Sequence, residues 1–368
     1  MITGGGSGST FTTGTVHVVL PGDIDDVTNP SGGNVYDRRV CQGLAALGWS
    51  VREIAVEGTW PRPDEASCAE LTRSLAELPD GAVVLLDGLA ACAVPEVLLP
   101  QADRLRLVVL VHMPLADETG LPAATAADLD ARERTVLHAA SAVVATSPWA
   151  ARRLAEHHGL ASGRVHVVTP GTDPAALARG TDGVSQLLCV AAVTPHKGHD
   201  LLVEALATLA ELPWSCLCVG PVHRDSGYAD GLRRRIADRG LDERVQLVGP
   251  RTGEALATAY SAADLLVLPS RGETYGMVLT EALARGIPVL ATAANGVPET
   301  VGRVRDGEVP GILVPPGDPA TLSGGLRRWF GEHELRSRLR SSARQRRGGL
   351  SSWEESSRRL ASALAPLT

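Results

Sequence analysis

With 368 residues, 44% of them apolar, the chain is long enough for two cores, and aromatics at 3% leave Ala, Val and Leu to fill them. A formal net charge of -7 excludes a general nucleic-acid binder. Residues 1–183 carry 13 Arg against 22 acidic residues, a net of -9; residues 184–368 carry 22 basic against 20 acidic residues, a net of +2, so an anionic small molecule is better received by the second half.

In chain order, residues 1–14 are rich in Gly, Ser and Thr, with neither a basic start nor an apolar core, and are expected to be a disordered leader rather than a signal peptide. Short apolar runs then alternate with helical patterns. Residues 15–20 predict a strand, 34–47 a helix closed by Gly48, and 50–56, 82–87, 105–112 and 142–146 further strands. Continuous apolar runs of this kind suit parallel strands buried on both faces. Residues 173–185, with Pro, Gly, Thr and Asp, read as a linker. The pattern restarts with strands at 187–193, 214–219, 245–247, 265–268, 288–291 and 311–314, and helices at 199–211, 231–239 and 277–285. Residues 15–172 and 186–348 thus predict two α/β, doubly wound, Rossmann-like domains facing a central cleft, and residues 349–368, with Trp353, a last helix that packs back on the first domain. The segment 327–347 holds eight Arg and two Glu at irregular spacing and is expected to be an exposed helical face. No stretch approaches the ~20 apolar residues of a membrane span. A cytoplasmic enzyme without stable membrane insertion is expected.

The six cysteines form no CxxC pair and read as small core residues in a reducing compartment. Of 35 basic residues only Lys197 is a lysine, which marks a place for a compact ammonium rather than a planar fork.

Residues 269–281 follow an apolar strand and open a helix. Gly276 permits close backbone approach, and the amides of Met277 and Val278 point out of the helix start, a site for a diphosphate. Glu273 precedes the helix and Glu281 lies on it; eight positions at ~1.5 Å each span ~12 Å, about the reach between the two sugars that flank a diphosphate. On these residues alone, a surface helix with an acid favourable to its dipole fits equally well.

The neighbouring motifs separate the two readings. Glu273-Thr-Tyr-Gly276 followed by Glu281-Ala-Leu-Ala-Arg-Gly286-Ile-Pro288-Val resembles the signature of glycosyltransferase family 4, with its two Glu separated by seven residues. In order along the chain, Pro30-Ser-Gly32-Gly33, Val168-Thr-Pro-Gly171-Thr-Asp173, Val190 to Leu201 around Lys197, Ala259 to Asp264, Ala291 to Glu299 and Leu313 to Pro319 resemble further motifs of that family, over roughly residues 15–330. Asn295 stands where the family has a glycine.

The resemblance implies a GT-B fold and transfer with retention of configuration from a UDP- or GDP-sugar. Carried over, Lys197 contacts the donor diphosphate, with amides from Gly276, Met277 and Val278. Glu281 then binds the ribose, Glu273 the transferred sugar, and Gly33 closes on the phosphates from the other domain. Tyr275 and Arg271 join the donor group, and His112, at a strand end, positions acceptor and donor sugar rather than acting as base. Asp23, Asp25 and Asn34 lie where an acceptor docks, and a small polyhydroxylated or amine-bearing acceptor is expected. Lys197, Glu273 and His112 are the expected catalytic set. One departure concerns Ala192, where the family usually has Arg; one cation on the leaving phosphate is missing unless Arg271 or His196 supplies it.

No cofactor and no metal ion are expected: no Asp-x-Asp site is evident among the donor motifs, and Asp23-Ile-Asp25, which has that spacing, belongs to the first domain. The alternatives are a sugar-nucleotide epimerase of the same fold and a non-catalytic sugar-nucleotide sensor. A dinucleotide-dependent dehydrogenase is disfavoured because no G-x-G-x-x-G follows the first strand.

Overall fold

The computed structural model describes residues 13–368. Among these, twelve strands form two six-stranded sheets in which every neighbouring pair is parallel. The first contains β1 (Thr15–Pro21), β2 (Ser50–Val56), β3 (Val83–Asp87), β4 (Arg106–Val111), β5 (Ala142–Ala145) and β6 (Val165–Val167), in the order β2-β1-β3-β4-β5-β6. The second contains β7 (Gln186–Val190), β8 (Ser215–Val219), β9 (Val245–Leu247), β10 (Leu265–Leu268), β11 (Val289–Thr292) and β12 (Gly311–Val314), in the order β12-β11-β10-β7-β8-β9. Strand order therefore reverses between β1 and β3 in one sheet and between β7 and β10 in the other. Those two reversals open crevices at the carboxyl ends of the strands, where ligands of such sheets bind.

Helices cover both faces of each sheet, so the inner strands β3 and β10 are buried throughout. Two apolar layers flank each sheet, built mostly of Val, Leu and Ala; Trp329, Tyr36 and Tyr260 are the largest wholly buried side chains. The six cysteines are free thiols, five of them buried.

Local chemistry moves several boundaries. The first helix is Gly32–Ala46, two residues longer at its start than the hydrophobic period predicts, because the Ser31 hydroxyl caps it by accepting from the Asn34 amide at 3.0 Å. The helix expected at 231–239 begins at Ser226, where Asp225 accepts from the Tyr228 amide at 2.9 Å; the cap outweighs the poor propensity of Gly227 and Gly231. The helix expected to reach residue 211 ends at Ala207, in turns that lead to Pro213. β6 was not foreseen, since three residues are too few for a periodicity. Of the expected leader, residues 1–12 lie outside the described residues. Gly14, by contrast, is fixed: its carbonyl accepts from the Ser50 amide at 3.0 Å.

No helix or strand occupies residues 168–185. After the second sheet the chain crosses back, and its last long helix, Trp353–Leu364, lays Leu360, Ala361 and Leu364 against Val16, Tyr36, Val40 and Leu44. The two crossings touch: the Thr172 amide donates to the Ser351 carbonyl at 2.8 Å and Ser356 Oγ to the Thr169 carbonyl at 2.7 Å. A Cβ on Gly171 would stand 2.3 Å from the Trp353 amide nitrogen, so only glycine fits there.

The Arg-rich segment is not simply a solvated face. Arg336 donates to the Trp329 and Phe330 carbonyls, Arg346 to the Val301 and Gly349 carbonyls, and Arg347 to the Ala284 and Ala175 carbonyls. These guanidiniums tie carbonyls at the ends of neighbouring helices, and the Ala175 carbonyl, to the helix His333–Arg346 and its end. Among the described residues no helix is long and apolar enough to cross a membrane.

Candidate functional site

β7 and β10 are neighbours at the second sheet's reversal, so the loops leaving them converge although they are far apart in sequence. The β7 loop carries Lys197 and the β10 loop Glu273. Their side chains meet, Lys197 Nζ donating to Glu273 Oε2 at 2.7 Å, and Ser270 Oγ donates to the same oxygen at 3.2 Å. Both groups are largely sheltered, at 26% and 13% side-chain exposure, which strengthens their attraction over that of a surface pair.

Gly276 then turns the chain into the helix Met277–Ala284. Its φ of 83° is left-handed, and a Cβ would lie 2.9 Å from Leu279 Cδ1 and 3.1 Å from Glu273 Cγ. No side chain caps this helix, which leaves the positive end and the amides of Met277 and Val278 for a ligand. One turn on, Glu281 accepts a hydrogen bond from the buried Tyr260 hydroxyl at 2.7 Å. Burial raises the Glu281 pKa, opposed by Tyr260 and the Arg285 charge. Tyr275, half-buried, has its phenol pushed up to about 12 by burial.

Arg271 does not stand free. Its guanidinium grips Asp200 in a bidentate pair at 2.9 and 2.6 Å and donates to the Pro195 carbonyl at 2.6 Å. That clamp fixes the turn around Lys197, which makes Arg271 a support of the loop rather than a spare cation. His196 is also engaged: its Nδ1 meets Thr119 Oγ1 at 2.8 Å, and burial, with the Lys197 charge, lowers its pKa. Neither side chain replaces the arginine absent at position 192, where Ala192 follows the end of β7. Asn295 has φ 50°, the one left-handed residue other than glycine among the described residues. Asn adopts that conformation more readily than most side chains, so the departure from glycine is conformationally conservative.

The first sheet contributes from its own reversal. Gly33 sits in the first turn of the helix after β1, and a Cβ there would lie 3.3 Å from the His112 ring, which follows β4. His112 Nε2 lies 2.8 Å from Asp37 Oδ1 and its ring meets Tyr36 edge-on, with centroids 5.3 Å apart. Asp87, the last residue of β3, completes a cluster with Asp37 and His112. Both carboxyls are buried, at 1% and 4% exposure. Burial, then the Asp37 charge, push Asp87 up to about 7. For His112, burial is outweighed by the charge and hydrogen bond of Asp37, and its pKa rises to about 9. Of the expected acceptor residues, Asn34 Nδ2 contacts the Asp23 carbonyl at 3.4 Å, and Asp23 is exposed. Asp25 is bound to Arg38, which also holds Glu53.

The two halves face each other closely. A Cβ on Gly32 would lie 3.5 Å from Met277 Sδ. Besides Thr119–His196, the exposed Arg224 reaches across to the Asn29 side chain and to the Asn29 and Pro30 carbonyls, and Arg152 pairs with Glu299. Sequence reasoning missed Asp37, Asp87, Asp200, Tyr260 and Arg224. Asp37 had a signal: it shares a helix face with Gly33, Val40, Cys41 and Leu44. Asp87 ends an otherwise apolar strand, another signal. Asp200 lay within the matched stretch around Lys197, though its pairing with Arg271 was not legible there; Arg224 had no signal, since it acts through a partner distant in sequence.

Two groups place three nitrogen or carboxylate atoms within 4.8 Å of one another: Asp37, Asp87 and His112, and, remote from the cleft, Asp130, His157 and His158. In each an imidazole is already bonded to a carboxylate directly, His112 to Asp37 at 2.8 Å and His157 to Asp130 at 2.5 Å. Neither is assigned to a cation.

The family model for glycosyl transferases group 1 matches residues 179–346, and that for Glycosyltransferase Family 4 matches residues 80–176. A D-inositol 3-phosphate glycosyltransferase of Jonesia denitrificans is 31% identical over 234 residues, covering 58% of this chain and 54% of that protein. The chain spans about half the length of the curated relatives it matches. A sucrose-phosphate synthase from Thermosynechococcus elongatus has the same fold, with a TM-score of 0.77 at 23% identity over 96% of this chain and 98% of that one. HepE of Anabaena, solved in complex with UDP-glucose, follows with a TM-score of 0.73 at 18% identity over 96% and 99%. With two parallel sheets facing a cleft, and the paired Lys197 and Glu273 in ordered motifs on both sides of it, the chain has the GT-B fold and belongs to glycosyltransferase family 4.

Proposed function

We infer that the chain transfers a hexosyl group from a nucleotide-diphosphate sugar to a hydroxyl of a small polar acceptor, with retention of configuration. The observation that carries this is the Lys197–Glu273 pair beside the uncapped start of the Met277 helix. A diphosphate seated there meets an ammonium and free amides, and the adjoining carboxylates of Glu273 and Glu281 accept from sugar hydroxyls.

Breaking the glycosyl–phosphate bond leaves charge on phosphate oxygen. Lys197 and the amides stabilise it from fixed positions, which costs no reorganisation during the step. Glu273 is engaged by Lys197 and Glu281 by Tyr260, which favours attack on the leaving-group face, with the phosphate taking the acceptor's proton, over a carboxylate nucleophile. A metal ion is not needed, since the cations and dipoles are the protein's own. HepE was solved with UDP-glucose, which supports a UDP-sugar as the first donor to try. The relative's name includes an inositol phosphate. Here the acidic first half, net -9 over residues 1–183, favours a neutral or amine-bearing polyol instead.

A thermal-shift screen of UDP-, GDP-, ADP- and TDP-sugars, followed by product analysis of the stabilising donor with and without inositol-type polyols, tests the reading. Stabilisation with release of nucleoside diphosphate and an α-linked product from an α-linked donor is expected. Epimerised donor without acceptor would replace transfer by isomerisation, and binding without turnover would leave only a sensor.

A further inference from the structure

Asp37 lies in the second turn of the helix that follows β1, and Asp87 ends β3; these strands bound the first sheet's reversal, and the fold brings the two acids together beneath His112. Asp37 Oδ1 is bonded to the imidazole, while its Oδ2 is buried without a hydrogen-bonding partner. Asp87 has one oxygen on the Leu89 amide at 2.7 Å, and a carboxylate oxygen of Asp87 lies within 4.8 Å of one of Asp37. Two carboxylates this buried and this close repel each other strongly when both are ionised. A proton between them removes the repulsion and gives the stranded Asp37 Oδ2 a donor. No rival cation intrudes: Arg38, next to Asp37, is turned to Asp25 and Glu53. The other titratable groups facing the cluster are the Tyr36 phenol and the Cys41 and Cys92 thiols, all raised by burial and so neutral.

We propose that Asp37 and Asp87 share a single proton and together hold His112 as an imidazolium at the rim of the cleft, which makes Asp87 a positioning residue. With the proton shared, the cluster carries one negative charge, and a protonated His112 neutralises it. The ring is then held by Asp37 below, by Tyr36 at its edge and by Gly33, where a Cβ would lie 3.3 Å from the ring and press on it. The imidazolium adds a cation to a cleft in which position 192 holds alanine. This consequence rests on the transferase reading; the protonation pattern rests on the geometry alone.

The first measurement needs no substrate. Imidazole nitrogen shifts of His112 across pH should show an imidazolium at neutral pH that loses its proton near 9. In Asp37→Asn that loss should move to pH 7 or below. Asp87→Asn keeps both the Leu89 cap and a donor toward Asp37, and should retain kcat within about threefold with the imidazolium intact, since the replaced hydrogen bond is preserved. Asp87→Ser keeps the cap but is too short to reach Asp37, and should lower kcat about tenfold with donor KM unchanged, in a protein that still folds. A neutral His112 at pH 7 in the unaltered chain, or equal damage from Asp87→Asn and Asp87→Ser, overturns the proposal. If the chain transfers no sugar while His112 titrates as described, the proton sharing stands and the transferase reading falls.

Discussion

Lys197 and Glu273, 76 residues apart in sequence, are bonded at 2.7 Å because the loops of β7 and β10 leave adjacent strands at the second sheet's reversal. The chain's only lysine is thus held by the acid that faces the same ligand. On the proposed transferase reading, a bound diphosphate would share the ammonium, and the carboxylate would keep it aimed while the sugar occupied its other oxygen.

From this follows a split between binding and chemistry. Lys197→Ala should lower kcat by roughly 10²–10³, the usual effect of removing one preorganised donor to developing charge. Donor KM should change much less. Lys197→Arg should not restore the rate, because a planar fork does not fit the place of a point charge. Steady-state kinetics decide it: a loss seen in KM alone would mean that Lys197 binds ground state and transition state equally.

Glu281 should behave in the opposite way. Its hydrogen bond from Tyr260 fixes the carboxylate on the Met277 helix at 2.7 Å. Glu281→Ala should weaken nucleotide binding about tenfold or more, as loss of a hydrogen bond to a charged group does. Tyr260→Phe should weaken it by less. Calorimetric titration with the free nucleoside diphosphate reads both, and equal affinities in all three proteins would remove Glu281 from the donor site.

Stability should fall as pH rises across the range set by His112 and Asp87. The imidazole is raised from 6.5 to about 9, so its contribution is complete below pH 6.5 and is lost as pH passes through about 9. Asp87 is raised from 3.8 to about 7, so the folded chain keeps a proton that the unfolded chain has released, and that contribution also declines between those values. Both act in one direction. Tm measured from pH 6 to 9 should therefore drop more steeply in the unaltered chain than in Asp37→Asn, and parallel curves would refute the assignment.

The strands and the order of the two α/β units were legible because buried parallel strands are continuous apolar runs, a signal that survives without knowledge of neighbours. The Met277 helix and its flanking acids were legible as well, through Gly276 and the ordered motifs. What the sequence did not reveal was who holds whom. Arg271 reads as a free cation until Asp200 is brought beside it by the fold. Arg336, Arg346 and Arg347 read as solvated because their acceptors are carbonyls, which no residue code announces. Asp37 and Asp87 each carried a signal, a helix face shared with core residues and the end of an apolar strand, but their pairing shows only where the helix after β1 meets the end of β3.

Acceptor recognition should separate Asp23 from Asp25. Asp25 is spent on Arg38, whereas Asp23 offers an exposed carboxylate beside the Asn34 side chain. Asp23→Asn should raise acceptor KM several-fold, by about the worth of one charged hydrogen bond, and Asp25→Asn should leave it within error. If neither substitution moves acceptor KM, the loop after β1 does not bind the acceptor.

Treatment with EDTA should leave the rate unchanged, because the site supplies its cations from Lys197 and helix amides rather than from an ion. The test is sharp, since a metal-bridged diphosphate would lose activity on chelation and regain it with magnesium. Recovery of that kind would mean that the ammonium and the amides do not suffice.

The missing arginine at position 192 gives the last test. Ala192 lies just beyond β7, on the loop that carries Lys197, and neither Arg271, clamped by Asp200, nor His196, bonded to Thr119, takes the place of an arginine there. If His112 already serves as the second cation, a new one is redundant in the unaltered chain but not in a chain whose His112 is uncharged. Ala192→Arg alone should then change kcat by less than about threefold, while in Asp37→Asn the same substitution should recover about tenfold, the worth of one charge-assisted hydrogen bond. The double-mutant cycle measures that coupling directly. Equal gains in both backgrounds would show that His112 and position 192 act independently, and that the cleft tolerates the lost arginine for a reason unrelated to the imidazolium.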